Sequence, residues 1–182
     1  MSKAIGMIEF KTVSAGVRAA DVMAKTAQVE LLEAQVVCPG KYIALIAGEL
    51  SAVKSAVEAS QETAREHFID SFVLGNPHPA IFPAIYGATK VERMDALGIL
   101  ETYDAASIIV AADAAAKTAA VELIELRIAK GMCGKSYLYL TGEVAAASAA
   151  IEKAKAVAAE GGMYLDSTVI ARPDAQLCKA IL

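Results

Sequence analysis

The 182-residue sequence predicts an α/β chain of the α+β kind, built as two tandem ferredoxin-like βαββαβ units. Two observations carry that expectation: the chain is written twice, and each copy runs strand, helix, strand, strand, helix, strand. "AIGMIEF" at the start lies over "ALGILET" near the middle, which places Gly6 on Gly98 and Glu9 on Glu101. The same offset lays "DVMAKTAQVELLE" (21–33) on "DAAAKTAAVELIE" (113–125). After the following turn the offset lengthens, so that "GKYIALIAGEL" (40–50) matches "GKSYLYLTGEV" (134–144) and "DSFVLGNP" (70–77) matches "DSTVIARP" (166–173). Matches that recur in order along both halves mark a tandem duplication.

Each element has its own signal. A short apolar strand opens each half, at 5–10 and 97–103. An Ala-rich helix follows, with Val17, Ala20, Ala24 and Ala27 at helical spacing in the first copy. Next, Leu32, Ala34 and Val36 alternate with Glu33 and Gln35, the period of a half-buried strand. The Pro/Gly turn of "VVCPGK" leads to a strand at 42–47, and "GEL" or "GEV" opens a second helix. A last strand, at 72–74 and 169–171, ends at a proline. "YGATKVERMD" (86–95) is polar and without periodicity, which reads as a linker and divides the chain into domains 1–90 and 91–182. The end, "AQLCKAIL", reads as an apolar helical tail.

Composition narrows the function classes. At 56% hydrophobic residues but only 5% aromatic and no Trp, packing must rely on close approach through small side chains. A net charge of −4 argues against a nucleic-acid binder, which needs a basic face. No apolar run is long enough to span a bilayer, and Glu9 and Lys11 interrupt the stretch a signal peptide would need. Cys38, Cys133 and Cys178 are scattered and odd in number, which fits a reducing compartment and a cytoplasmic protein.

Few residues point to chemistry. Glu9 and Glu101 occupy one repeat position, so a shared structural role accounts for both without an acid/base pair. His67 and His78 lack ligand-spaced partners, and "KGMCGK" lacks the spacing of a phosphate-wrapping loop. No nucleophile–base constellation supports an enzyme. Lys25 and Lys117 fall at equivalent helix positions, where a solvated face is the ordinary reading. Cys178, in the tail, reads as a small buried hydrophobe, and a lone Cys38 taken within one chain reads the same way.

The pattern A-[IL]-G-[MI]-[IL]-E, then DxxxKTAxVEL, a Gly-Lys loop, GE[LV] and a final "RP" resembles the bacterial microcompartment shell domain. Two such domains with "CPGK" in the first turn are similar to the tandem, trimeric branch that carries an iron–sulfur cluster in a central pore. The resemblance implies a flat pseudo-hexameric homotrimer that tiles with other shell proteins into a compartment shell in the cytoplasm. A rotation that closes makes a ring, and a second edge contact makes a sheet.

It also assigns roles. The pore loops would be Cys38, Pro39 and Gly40 in the first half and Gly131, Met132, Cys133 and Gly134 in the second. Three copies of Cys38 on a three-fold axis would hold a 4Fe-4S cluster, which ordinarily takes four thiolates, for electron exchange with a redox protein on one side of the shell. Cys133 would complete the ligation, compete for it, or point away. Lys25, Lys117 and Arg172 would form the tile edge, with Asn76 standing where the first half lacks the arginine. The rival readings are an unmetallated tile whose pore conducts metabolites and a trimeric ligand-binding regulatory protein.

Overall fold

The computed structural model describes residues 4–182, and each half folds as a four-stranded antiparallel sheet with helices. In the first unit the elements are β1 (Ala4–Phe10), α1 (Val13–Thr26), β2 (Glu30–Val37), β3 (Lys41–Gly48), α2 (Leu50–Gln61), a 3-10 turn (Glu62–His67) and β4 (Phe68–Gly75). A short helix α3 (Ile81–Ile85) follows. The second unit then repeats the order as β5 (Ala96–Thr102), α4 (Ala105–Thr118), β6 (Glu122–Arg127), β7 (Ser136–Gly142), α5 (Val144–Glu160) and β8 (Tyr164–Ile170), with a last helix α6 (Ala175–Ile181). Strand orders are β2-β3-β1-β4 and β6-β7-β5-β8, the ferredoxin-like arrangement that the duplicated pattern predicts. No helix among the described residues is long and apolar enough to cross a membrane.

The central strand β1 is buried along its whole length, and Ala4, Ile8 and Phe10 join Ala44, Ile46, Val53, Ala56 and Val57 in one apolar cluster. Gly6 is small for a reason. A Cβ there would lie 2.6 Å from Val53 Cγ1 and 2.8 Å from Val57 Cγ2, so glycine lets α2 sit close on the strand. Gly98 repeats the device beneath α5, with Leu140 and Ile151 as the crowded neighbours.

Four expectations are revised. On α1 the buried face is Ala15, Gly16, Ala19, Ala20 and Met23, so of Val17, Ala20, Ala24 and Ala27 only Ala20 is buried. An Ala-rich helix carries two candidate stripes, and Gly16 decides between them by fitting against Tyr42. Along β2 the alternation does not give burial: Ala34 and Val36 are exposed and Glu33 is half-buried. That strand lies at the sheet edge with a register shift between Leu31 and Glu33, which breaks the two-residue period. The last strands begin earlier than the apolar cores at 72–74 and 169–171 suggest. Finally, the compact units are Met1–Pro77 and His78–Leu182, so residues 78–90 pack with the second unit. The cause is α3, which rests on β6 and α4 and whose lead-in is fixed by His78 N–H donating to Asp113 Oδ1 at 2.7 Å.

Candidate functional site

Cys38, Pro39 and Gly40 form the tight turn between β2 and β3, closed by Gly40 N–H donating to Val37 O at 2.9 Å. Gly40 has φ of 101°, a left-handed conformation that glycine adopts without strain, and nothing lies within 4 Å of where a Cβ would be. The Cys38–Pro39 peptide bond is cis. The Cys38 thiol is free and half-buried, while Pro39 and Gly40 are exposed. The next residue, Lys41, has its ammonium paired with the buried Glu9 carboxylate.

The equivalent connection in the second unit is longer, spanning 128–135. Here Ala129, Gly131, Cys133 and Gly134 all have positive φ, and Lys135 N–H donates to Met132 O at 3.1 Å. Cys133 is exposed, Met132 half-buried and Gly134 buried. The two cysteines are therefore not structural equivalents. Cys38 directly follows its strand β2, whereas Cys133 lies inside a left-handed loop just ahead of β7. Past that loop, Tyr137 donates to Glu125 Oε2 at 2.7 Å, and the Arg127 guanidinium lies 5.6 Å from its ring. Burial, ahead of that bond to Glu125, pushes the Tyr137 phenol above its ordinary range.

The expected edge residues are differently held. Lys25 ends α1 and reaches Asp21 at 2.6 Å, both well exposed. Lys117 ends α4 and reaches Asp113 at 2.7 Å, but that carboxylate is nearly buried and also accepts from His78. Arg172 is exposed just beyond β8, and Asn76 takes a φ of 54° after β4. Cys178 is half-buried rather than buried, with its thiol 3.7 Å from Met94 Sδ and 3.8 Å from Pro173 O. The aspartates at 21 and 113 were legible only as partners in the DxxxK spacing, which sets an i,i+4 ion pair on a helix.

No group of three or more His, Cys, Asp or Glu side chains able to hold a metal occurs among the described residues. Cys38 is thus one donor, and any cluster bound through it must draw further ligands from elsewhere.

A BMC domain profile matches residues 4–77 and again 96–173, one match per sheet. The chain is 38% identical to the bacterial microcompartment shell protein PduT of Citrobacter freundii, over 95% of this chain and 94% of that one. The carboxysome shell protein CsoS1 of Prochlorococcus marinus is 32% identical over 52% of this chain and 95% of its own length. Among solved structures, a microcompartment protein from Desulfitobacterium hafniense superposes with a TM-score of 0.94 at 46% identity, covering 98% of this chain and 99% of that one. The chain belongs to the BMC-domain family of microcompartment shell proteins and carries two of its domains in tandem.

Proposed function

We propose that this shell protein works as a homotrimeric hexagonal tile whose three Cys38 thiolates hold a 4Fe-4S cluster at the central pore. A free, half-buried thiol on a short turn whose next two residues are exposed supports the reading most directly. The donor chemistry fits, because thiolates are the ordinary ligands of such clusters. The group, when bound, would supply one-electron transfer between the lumen and the outside, and a small redox protein would be its partner. Gly40 adds no side chain to the turn, and Lys41 is paired with Glu9, so Cys38 is the thiolate donor this turn would offer. The role is structural and electron-conducting rather than enzymatic, and other shell proteins are the neighbours of its edges.

Anaerobic preparation with iron and sulfide analysis tests this. Brown protein with stoichiometric iron and sulfide is expected for the wild type and for Cys178→Ser, and colourless protein for Cys38→Ser. Cys133→Ser should keep the cluster if its loop points away from the thiolates, and lose it if Cys133 completes the ligation. A colourless, iron-free wild type after reconstitution would overturn the cluster and leave the tile as a conduit.

A further inference from the structure

Two sulfur atoms meet in the second unit, from segments far apart in the chain. Met94 stands just ahead of β5, and Cys178 lies in the middle of α6, 84 residues later. Both belong to the compact unit His78–Leu182. The Cys178 Sγ is 3.7 Å from Met94 Sδ and 3.8 Å from the carbonyl oxygen of Pro173. All three residues are half-buried, so the donors are partly screened from water yet open to a small ion.

Packing does not account for a thiol at this place. α6 has no buried residue, and the repeat puts Phe82 of α3 at the position of Cys178, an apolar ring where no sulfur is needed. Nor does hydrogen bonding account for it, because a thiol is a weak donor and a thioether a weak acceptor. As metal donors, however, the two are matched: both are soft and polarizable, and such sulfurs select Cu(I). The spacing suits that use as well. Metal–sulfur bonds of about 2.3 Å join sulfurs 3.7 Å apart at an S–metal–S angle of about 107°, so the sulfur separation needs no adjustment.

We infer that Cys178 and Met94 bind a soft monovalent cation, Cu(I) by its chemistry, with the Pro173 carbonyl oxygen closing a third side. On binding, the Cys178 Sγ–H bond gives way to an Sγ–Cu bond and the proton passes to water. The thiolate then matches the single positive charge of the ion, and no electron is exchanged. Met94 adds a neutral donor, which a divalent ion with a preference for oxygen or imidazole would gain little from. Loading ties α6, which rests on its own chain through few contacts, to the segment that leads into β5. The site lies within one unit of one chain and depends neither on the trimer nor on a cluster at Cys38.

Anaerobic titration of the full chain with Cu(I), against a chromophoric Cu(I) chelator, tests the inference. Cys38→Ser with Cys133→Ser serves as the background, which leaves Cys178 as the last thiol. One Cu(I) per chain is expected there, with sulfur scatterers at about 2.3 Å in X-ray absorption. Amide hydrogen exchange across 175–181 should slow on loading. Cys178→Ser added to the background should abolish binding. Met94→Leu should weaken it at least about tenfold, since even an outer partner of a metal site contributes that much. Ag(I) should displace the copper, and Zn(II) should not. Binding that survives Cys178→Ser, or that is unchanged by Met94→Leu, overturns the paired site. Zn(II) binding as tight as Cu(I) overturns the choice of ion, and unaltered exchange in α6 on loading places the ion elsewhere.

Discussion

Gly16 and Tyr42 show how a duplicated core drifts while its volume is conserved. A Cβ on Gly16 would stand 2.5 Å from Tyr42 Cβ and 2.4 Å from Tyr42 Cδ1, so the helix position must stay empty while the strand position is large. At the same places the second unit has Ile108, fully buried, and Ser136, whose Oγ accepts from Ala129 N–H at 3.0 Å. Bulk has moved from strand to helix. Gly16→Ile alone should cost about 3 kcal/mol or more by overpacking. Tyr42→Ser alone should cost a similar amount by leaving a cavity. Together they should recover at least about 1 kcal/mol of the summed loss, a coupling readable from a double-mutant cycle in urea. Additive losses would mean that the exchange is coincidental. Tyr137 offers a pH test. Its phenol titrates higher in the folded state than in the unfolded, so its contribution is present below about pH 10 and lost as pH rises beyond it. Tyr137→Phe should cost about 1 kcal/mol at neutral pH by removing the bond to Glu125, and should flatten the alkaline fall in stability.

The two DxxxK helices share a motif and differ in what surrounds it. On α1 the Asp21–Lys25 pair is exposed, and such pairs contribute only about 0.3–0.5 kcal/mol. On α4 the same spacing places Asp113 where α3 covers it and His78 N–H points at it. Asp21→Ala should therefore change the melting temperature little. Asp113→Ala should destabilise by about 1.5–3 kcal/mol, because it removes a charge-assisted bond and leaves the His78 N–H unmatched. Equal effects would show that the α3 lead-in contributes nothing to stability. These helices also mark where sequence reading succeeds and stops. The order of strands and helices was legible because glycines, turns and apolar runs recur at a fixed offset. The buried stripe of α1 was not, since an Ala-rich helix carries no strong hydrophobic contrast and Tyr42, far along the chain, selects the face. α3 escaped notice because "AIFPAI" holds a proline, tolerated here only because Pro83 lies in the first turn, where an N–H has no helical acceptor. The repeat positions of Lys25, Lys117 and Arg172 and the turn at Cys38 are legible from the motif, but the unlike settings of Cys38 and Cys133 depend on loop conformations that no local pattern encodes.

A tile must bind its own copies around a ring and its neighbours along an edge, and these demands fall on different residues. Within the proposed trimer, contact can be built from apolar surface, whose burial is non-directional and tolerant of salt. Between tiles, the proposed edge residues Lys25 and Arg172 are exposed and charged, so their contacts should weaken as salt screens them. The two kinds of assembly should then separate. Raising salt to about 1 M, where the Debye length is about 3 Å, should disperse sheets or tubes seen by electron microscopy while ultracentrifugation still reports trimers. Lys25→Ala should have the same result at low salt, with the melting temperature nearly unchanged because the Asp21–Lys25 pair is solvent-exposed. Arg172→Ala should be the more damaging edge variant, since Asn76 occupies the matching place in the first unit and leaves each chain one such arginine. Sheets that persist in Lys25→Ala and Arg172→Ala alike would place the lateral contact on other residues. Trimers that fall apart with the sheets would mean that one surface serves both contacts.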